Sequence, residues 1–191
     1  LPDDLLEQGK KVRQYNAQHE KFRLFHGTES DILEDGRLDY DDEVLSQLDY
    51  VVASVHAIPK WKNRDEATNT EELIRAMEHP SATVLGHPSG RILQGRDGYE
   101  VDLNAVLQAM AEMEETKVVE LNASPYRLDL DWRLCKRAKE LGVPVSINPD
   151  AHDLAGLRDI RYGVDMARKG WLTKTDVLNS KSAEAVLELM N

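Results

Sequence analysis

The sequence predicts an α/β fold of parallel strands joined by helical crossovers. Short apolar runs rich in β-branched residues alternate along the chain with amphipathic stretches of helical period. A polar residue able to bind a metal or a phosphate stands at the end of each apolar run. A length of 191 residues suits one domain and is short for a complete barrel.

The expected elements follow in chain order. A first helix is read over residues 3–20, then a strand at 22–27 (FRLFHG) and a helix at 41–48. The second strand is YVVASV at 50–55, followed by a helix at 70–78, where Thr70, Glu71 and Glu72 place cap and acids at the positive end of the helix dipole. ATVLG at 82–86 is the third strand, and Asp102 is read as the cap of a helix at 102–115. VVEL at 118–121 is the fourth strand, and the helix at 131–141 stops at Gly142. VPVSI at 143–147 is the fifth strand, and helices at 160–169 and 183–190 close the chain. The segment 57–69 fits no element and is read as a mobile loop near the site, containing Trp61.

Composition narrows the function classes. An apolar fraction of 41% and a charged fraction of 31% fit a globular domain, and no run approaches the roughly 20 apolar residues of a membrane helix. The N-terminal LPDDLLEQGKK lacks the basic start and apolar core of a secretory signal, so cytoplasmic residence is expected. The single cysteine, Cys135, lies in a helical stretch and reads as a small buried residue. A net charge of -11 argues against coating a phosphate backbone with cations. An anionic substrate would instead be drawn locally, by metals and a few arginines.

The strand-end residues are Glu29, His56, His87, Asn122, and Asp150 with His152. They recur at intervals of about 30 residues, one strand-plus-helix unit. In parallel α/β folds the loops after the strands converge on one face, so residues far apart in sequence meet there. Taken singly, a histidine after a strand is more often a packing residue than a ligand. Taken together, Glu29, His56, His87, Asp150 and His152 form a mixed nitrogen and oxygen donor set suited to Zn, Mn or Fe. A carboxylate such as Glu29 can bridge two ions, and a pair of ions roughly 3.5–4 Å apart suits phosphoester hydrolysis. His19, His26 and His79 lack this registration and read as structural. Arg91 and Arg127 are candidates for phosphate binding, with ordinary salt bridges to Asp97 or Asp129 as the alternative, and Arg96 reads as a salt-bridge residue. Asn122 can bind a ligand directly or hold a histidine or water.

The segments GTESDILEDGRLDYDDEVLSQLDYVVASVH, LGHPSGRILQGRDGYEVD, ELNASPYRLDL, INPDAH and RYGVDMARKGW together resemble the PHP (polymerase and histidinol phosphatase) domain. The version they most resemble is the C-terminal one of bacterial and archaeal family X DNA polymerases. The likeness runs from about Glu20 to Asn179. It implies a distorted (β/α)7 barrel holding up to three divalent metals and acting on phosphoesters, with DNA 3′ ends as substrate in the polymerase-linked members. By resemblance Glu29 corresponds to the bridging glutamate, His56 and His87 to further ligands of one metal, Asp150 to a ligand of a second and His152 of a third. The family's opening His-x-His strand and the Asp-His strand after it have no counterpart here. The expectation is therefore a single domain over residues 1–191, with five of seven strands and without the first two strand-helix units. Such a piece would rely on the missing part or another chain, and would self-associate through exposed edges. A free-standing small-molecule phosphatase and an inactive structural or interaction module remain the alternatives.

Overall fold

The fold is ordered by a five-stranded parallel sheet whose strands lie side by side in sequence order. The computed structural model describes residues 2–190; Leu1 and Asn191, the ends of the expected domain span, lie outside the described residues. The strands are β1 (Gly27–Asp31), β2 (Tyr50–Ser54), β3 (Val84–Leu85), β4 (Val118–Asn122) and β5 (Val145–Asn148). The helices are α1 (Pro2–Gln18), α2 (Asp42–Leu45), α3 (Ile58–Trp61), α4 (Glu66–Met77), α5 (Leu103–Glu112), α6 (Trp132–Leu141), α7 (Ile160–Lys169) and α8 (Ala183–Met190). Sequential parallel order is the arrangement of a barrel wall, and the sheet stays open, as an incomplete (β/α) barrel does.

The period of two along each strand divides its residues between two environments. Ala53, Leu85, Val119 and Val145 are in register across the sheet and pack into the main core with residues of α4, α5, α6 and α7. Val52, Val84 and Val118, also in register, belong to the opposite face. There Leu178 and Val186 of the C-terminal segment cover the beginnings of β3 and β4. The rest of that face lines an open cavity of about 740 Å³ reaching from Tyr50 and Val52 to Glu29, His87, Glu120 and Asp150.

Helix boundaries follow local chemistry. Asp102 caps α5 by accepting hydrogen bonds from the backbone N–H groups of Asn104 and Ala105, and Asp131 caps α6 through Arg133 N–H. Gly142 ends α6 at φ 76°, a left-handed conformation suited to glycine. Helices α7 and α8 start and stop where the periodicity predicts.

Three expectations are corrected. The first strand is the polar GTESD and not FRLFHG: the Asn16 side chain holds both Leu24 N–H and Leu24 C=O, at 2.8 Å each, so this stretch is tied to α1 instead of a sheet ladder, and Phe22 is exposed. Glu29 therefore sits in the middle of a strand, and Asn122 is the last residue of β4. Helix α4 begins at Glu66 on an Asp65 cap that accepts Thr68 N–H, whereas Thr70 lies inside it, donating to Glu66 C=O and accepting Asp102 N–H. Segment 57–69 is packed structure: Trp61 in α3 is fully buried against Tyr99, with ring centroids 5.2 Å apart, and Asn69 donates to the carbonyls of Trp61 and Glu100.

Candidate metal centre

Glu29, His56 and His87 are brought together from three successive strand-loop units, their ligating atoms all within 4.8 Å of one another. Glu29 Oε1 lies 3.0 Å from His87 Nε2 and 3.4 Å from His56 Nε2, so the carboxylate stands between the two rings. The rings meet edge to face at a centroid distance of 5.2 Å. His87 is buried, whereas Glu29 and His56 keep about two-fifths of their side-chain surface exposed. Depth at one ligand and access at the others is the form of a site that a solute can reach.

The electrostatics follow from these contacts. Hydrogen bonding with His56, then with His87, holds the Glu29 carboxyl well below the usual carboxylate range, against the opposing effect of burial. The His56 imidazole is raised to about 9, first by Glu29 and then by Asp31. In the metal-free chain the His56 proton is thus held between two carboxylates, and a divalent cation would replace it.

Sequence reasoning missed Asp31. It lies two residues after Glu29 in β1, where alternate residues share a face, and its Oδ1 is in short contact with His56 Nδ1. A ligating histidine is oriented by a carboxylate on its second nitrogen, which leaves Nε2 of His56 directed toward Glu29. The signal was the spacing Glu-x-Asp within GTESD, obscured because that segment did not read as a strand. Asp129, named from sequence only as a salt-bridge partner, has a different role: fully buried, it accepts Ser89 N–H at 2.9 Å and Ser89 O–H at 2.8 Å, anchoring the loop that follows His87.

The remaining predicted residues form a second neighbourhood on the same rim. Asp150 Oδ2 accepts Asn122 Nδ2 at 3.1 Å and lies 3.5 Å from Arg127 Nε. Asp150 lines the same cavity as Glu29 and His87. His152 is largely exposed, its Nδ1 2.9 Å from Asp150 C=O, and stands apart from the Glu29 cluster. Arg91 is directed to the carbonyls of Arg127 and Leu128, with Asp131 4.0 Å away, and so braces one loop against another. Arg127 keeps a buried Nη1 without a hydrogen-bond partner among the described residues. The alternative reading of both arginines as salt-bridge residues holds with other partners than Asp97 or Asp129, namely Asp131 for Arg91 and Asp150 for Arg127. Arg96, read as a salt-bridge residue, instead donates to Gly90 C=O. The other histidines are structural: His79 pairs with Asp42 at 3.1 Å, His19 stacks on Tyr15, and His26 is buried against α1.

No family model matches the chain. Sequence relatives do. A Bacillus subtilis protein named DNA polymerase/3′-5′ exonuclease PolX is 41% identical over 182 residues, 95% of this chain and 31% of that protein. This similarity fits a PHP-type domain of the family X DNA polymerases. A Thermoanaerobacter protein named "probable phosphatase" is 29% identical over 84% of this chain and 65% of its own length. Another of the same name, from Caldanaerobacter subterraneus, is 33% identical over 70% of this chain and 52% of its own. The chain thus spans less than two-thirds of each of these proteins. Relatives of both kinds are named for hydrolysis of phosphoesters, and the Glu29, His56 and His87 donors fit a divalent metal.

Proposed function

We propose that the chain is a metal-dependent phosphoesterase unit that hydrolyses DNA 3′ ends in a family X polymerase setting. The observation that carries the reading is the Glu29–His56–His87 cluster on the rim of a parallel sheet, in a chain 41% identical to a polymerase with named 3′-5′ exonuclease activity. Glu29, His56 and His87 would hold one ion, and Asp150 and His152 would contribute to others, up to three in a complete domain. The donor set favours Mn or Zn, with Fe also compatible. When bound, such an ion supplies Lewis acidity and a water made nucleophilic at neutral pH.

The protein's own residues do the positioning. Asp31 keeps His56 facing Glu29, Asp129 anchors the loop after His87, and Asn122 holds Asp150 from behind. Arg127, adjacent to Asp150 and with an uncommitted N–H, is the better placed of the two arginines to hold a phosphate; Arg91 already serves neighbouring carbonyls. Further ligands for Asp150 and His152 would come from a segment beyond the described residues or from another chain. A DNA-processing role is consistent with cytoplasmic residence, and no described helix is long and apolar enough to cross a membrane.

A second reading, a small-molecule phosphatase of the histidinol-phosphate type, is favoured by the phosphatase-named relatives and by the cavity of about 740 Å³, a size suited to a small ligand. An inactive interaction module is the third. One assay separates them: Mn-supplemented chain is offered a 3′-labelled DNA strand and, separately, a small phosphomonoester. Release of 3′ nucleotides, lost in Glu29→Gln and His87→Ala, supports the first reading; turnover of the small ester alone supports the second. Turnover of neither by protein shown to carry metal overturns both.

A further inference from the structure

Glu120 is a carboxylate with only 5% of its surface exposed, following two valines and preceding a leucine in β4. Burying a charge in such a strand is costly unless hydrogen bonds compensate it, and an apolar residue would fill the position at less cost. Its bonds all lead to the rim of the candidate site. Oε2 accepts the backbone N–H of His87 at 2.7 Å and Asn122 Nδ2 at 3.3 Å, while Oε1 accepts Asn148 Nδ2 at 2.9 Å. Asn122 Nδ2 reaches on to Asp150 Oδ2 at 3.1 Å. One side chain therefore connects the ends of β3, β4 and β5.

Both residues it connects are among the non-glycine residues whose backbones need restraint. His87 has φ 26° and Asp150 φ 51°, conformations that residues with a Cβ seldom adopt and that persist only where the surroundings enforce them. A hydrogen bond from a backbone N–H to a charged carboxylate is among the stronger restraints available. We propose that Glu120 is a positioning residue, holding the His87 backbone directly and Asp150 through Asn122 so that both present their donors to the metals. This rests on the metal reading above. It assigns Glu120 no ligand role, because both of its oxygens already accept N–H donors and it stands outside the Glu29–His56–His87 cluster.

The test is calorimetric titration of the full chain with Zn²⁺ and, separately, Mn²⁺, for the unaltered protein, Glu120→Ala and Glu120→Gln, alongside amide hydrogen exchange at His87 without metal. Glu120→Ala should bind about 10–100-fold more weakly, the usual cost of losing a group that orients a ligand, and His87 N–H should lose its protection. Glu120→Gln should recover most of the affinity, since one oxygen can still accept His87 and Asn122 while the Asn148 amide turns to meet the new NH₂. Unchanged affinity in Glu120→Ala overturns the proposal and leaves the metal site standing. Equal losses in both variants also overturn it, by showing that the charge itself is a ligand. Should Glu120→Ala fail to fold, Glu120→Gln decides: His87 protection kept and affinity within tenfold supports the role, and a larger loss overturns it. No binding by the unaltered chain overturns the metal reading and this inference together.

Discussion

His56 is held between two carboxylates, Glu29 at 3.4 Å from Nε2 and Asp31 in short contact with Nδ1, and its behaviour should report on both. Replacing Asp31 by Asn should weaken metal binding about 10–100-fold while leaving the fold intact, measured by titration with Zn²⁺ and by far-UV circular dichroism. The same pair gives the metal-free chain a defined pH response. Glu29 titrates below its ordinary 4.5, so its contribution to stability is present above 4.5 and is lost as pH falls further. His56 is raised from 6.5 to about 9, so its contribution is complete below 6.5 and is lost as pH rises through about 9. Both contributions are full between 4.5 and 6.5. The melting temperature of metal-free protein should therefore decline modestly from pH 6.5 to 9, less at high salt because both groups are partly exposed, and His56→Ala should flatten that slope. Metal affinity should rise over the same interval, as the competing proton leaves His56. The donor types were legible from the recurrent spacing, but the carboxylates around them were not: Asp31 lies in a segment that does not read as a strand, and Glu120 stands in an apolar run where periodicity predicts a packing residue.

Among the elements, the connection from β2 to β3 departs furthest from its sequence. Residues 57–69 carry no clear periodicity because only Ile58 and Trp61 of the four-residue helix α3 turn inward. Both are almost wholly removed from solvent, and Asn69 closes the segment by donating to two backbone carbonyls. Trp61→Ala should cost about 3–5 kcal/mol of stability, measured by urea unfolding. A mobile loop would have tolerated the change. Asp65→Ala, which removes the α4 cap, should cost about 0.5–2 kcal/mol in the same measurement. The strands β2 to β5 were readable because one face packs into the main core and the other is covered over β3 and β4 by Leu178 and Val186, giving β-branched runs. β1 was not, since Thr28, Glu29, Ser30 and Asp31 are polar; the neighbouring FRLFHG has the strand-like composition but is held by Asn16.

At the scale of the whole molecule, the open sheet has two unlike edges. Beside β5, Val145 N–H donates to Asp176 C=O, and the Asn179 side chain bonds both N–H and C=O of Ile147, so residues 176–179 imitate a neighbouring strand. β1 has no strand on its outer side among the described residues. Asp39 bonds both N–H and C=O of Asp31 at the end of β1, but the rest of that edge, beside a wide cavity, invites association, although the carboxylates of Glu29 and Asp31 temper it. The chain should show concentration-dependent association in size-exclusion chromatography, reduced by Thr28→Lys on the β1 edge. A monomer at all concentrations would show that the edge is adequately protected as it stands.

Metal held by Glu29, His56 and His87 is the central prediction for this molecule. Elemental analysis of the purified chain, reconstituted with Mn and Zn and compared with Glu29→Gln and His87→Ala, tests it most directly. About one equivalent of metal in the unaltered chain, lost in both variants, is the predicted result. Folded protein that takes up no metal, or that retains the same amount in both variants, would contradict it.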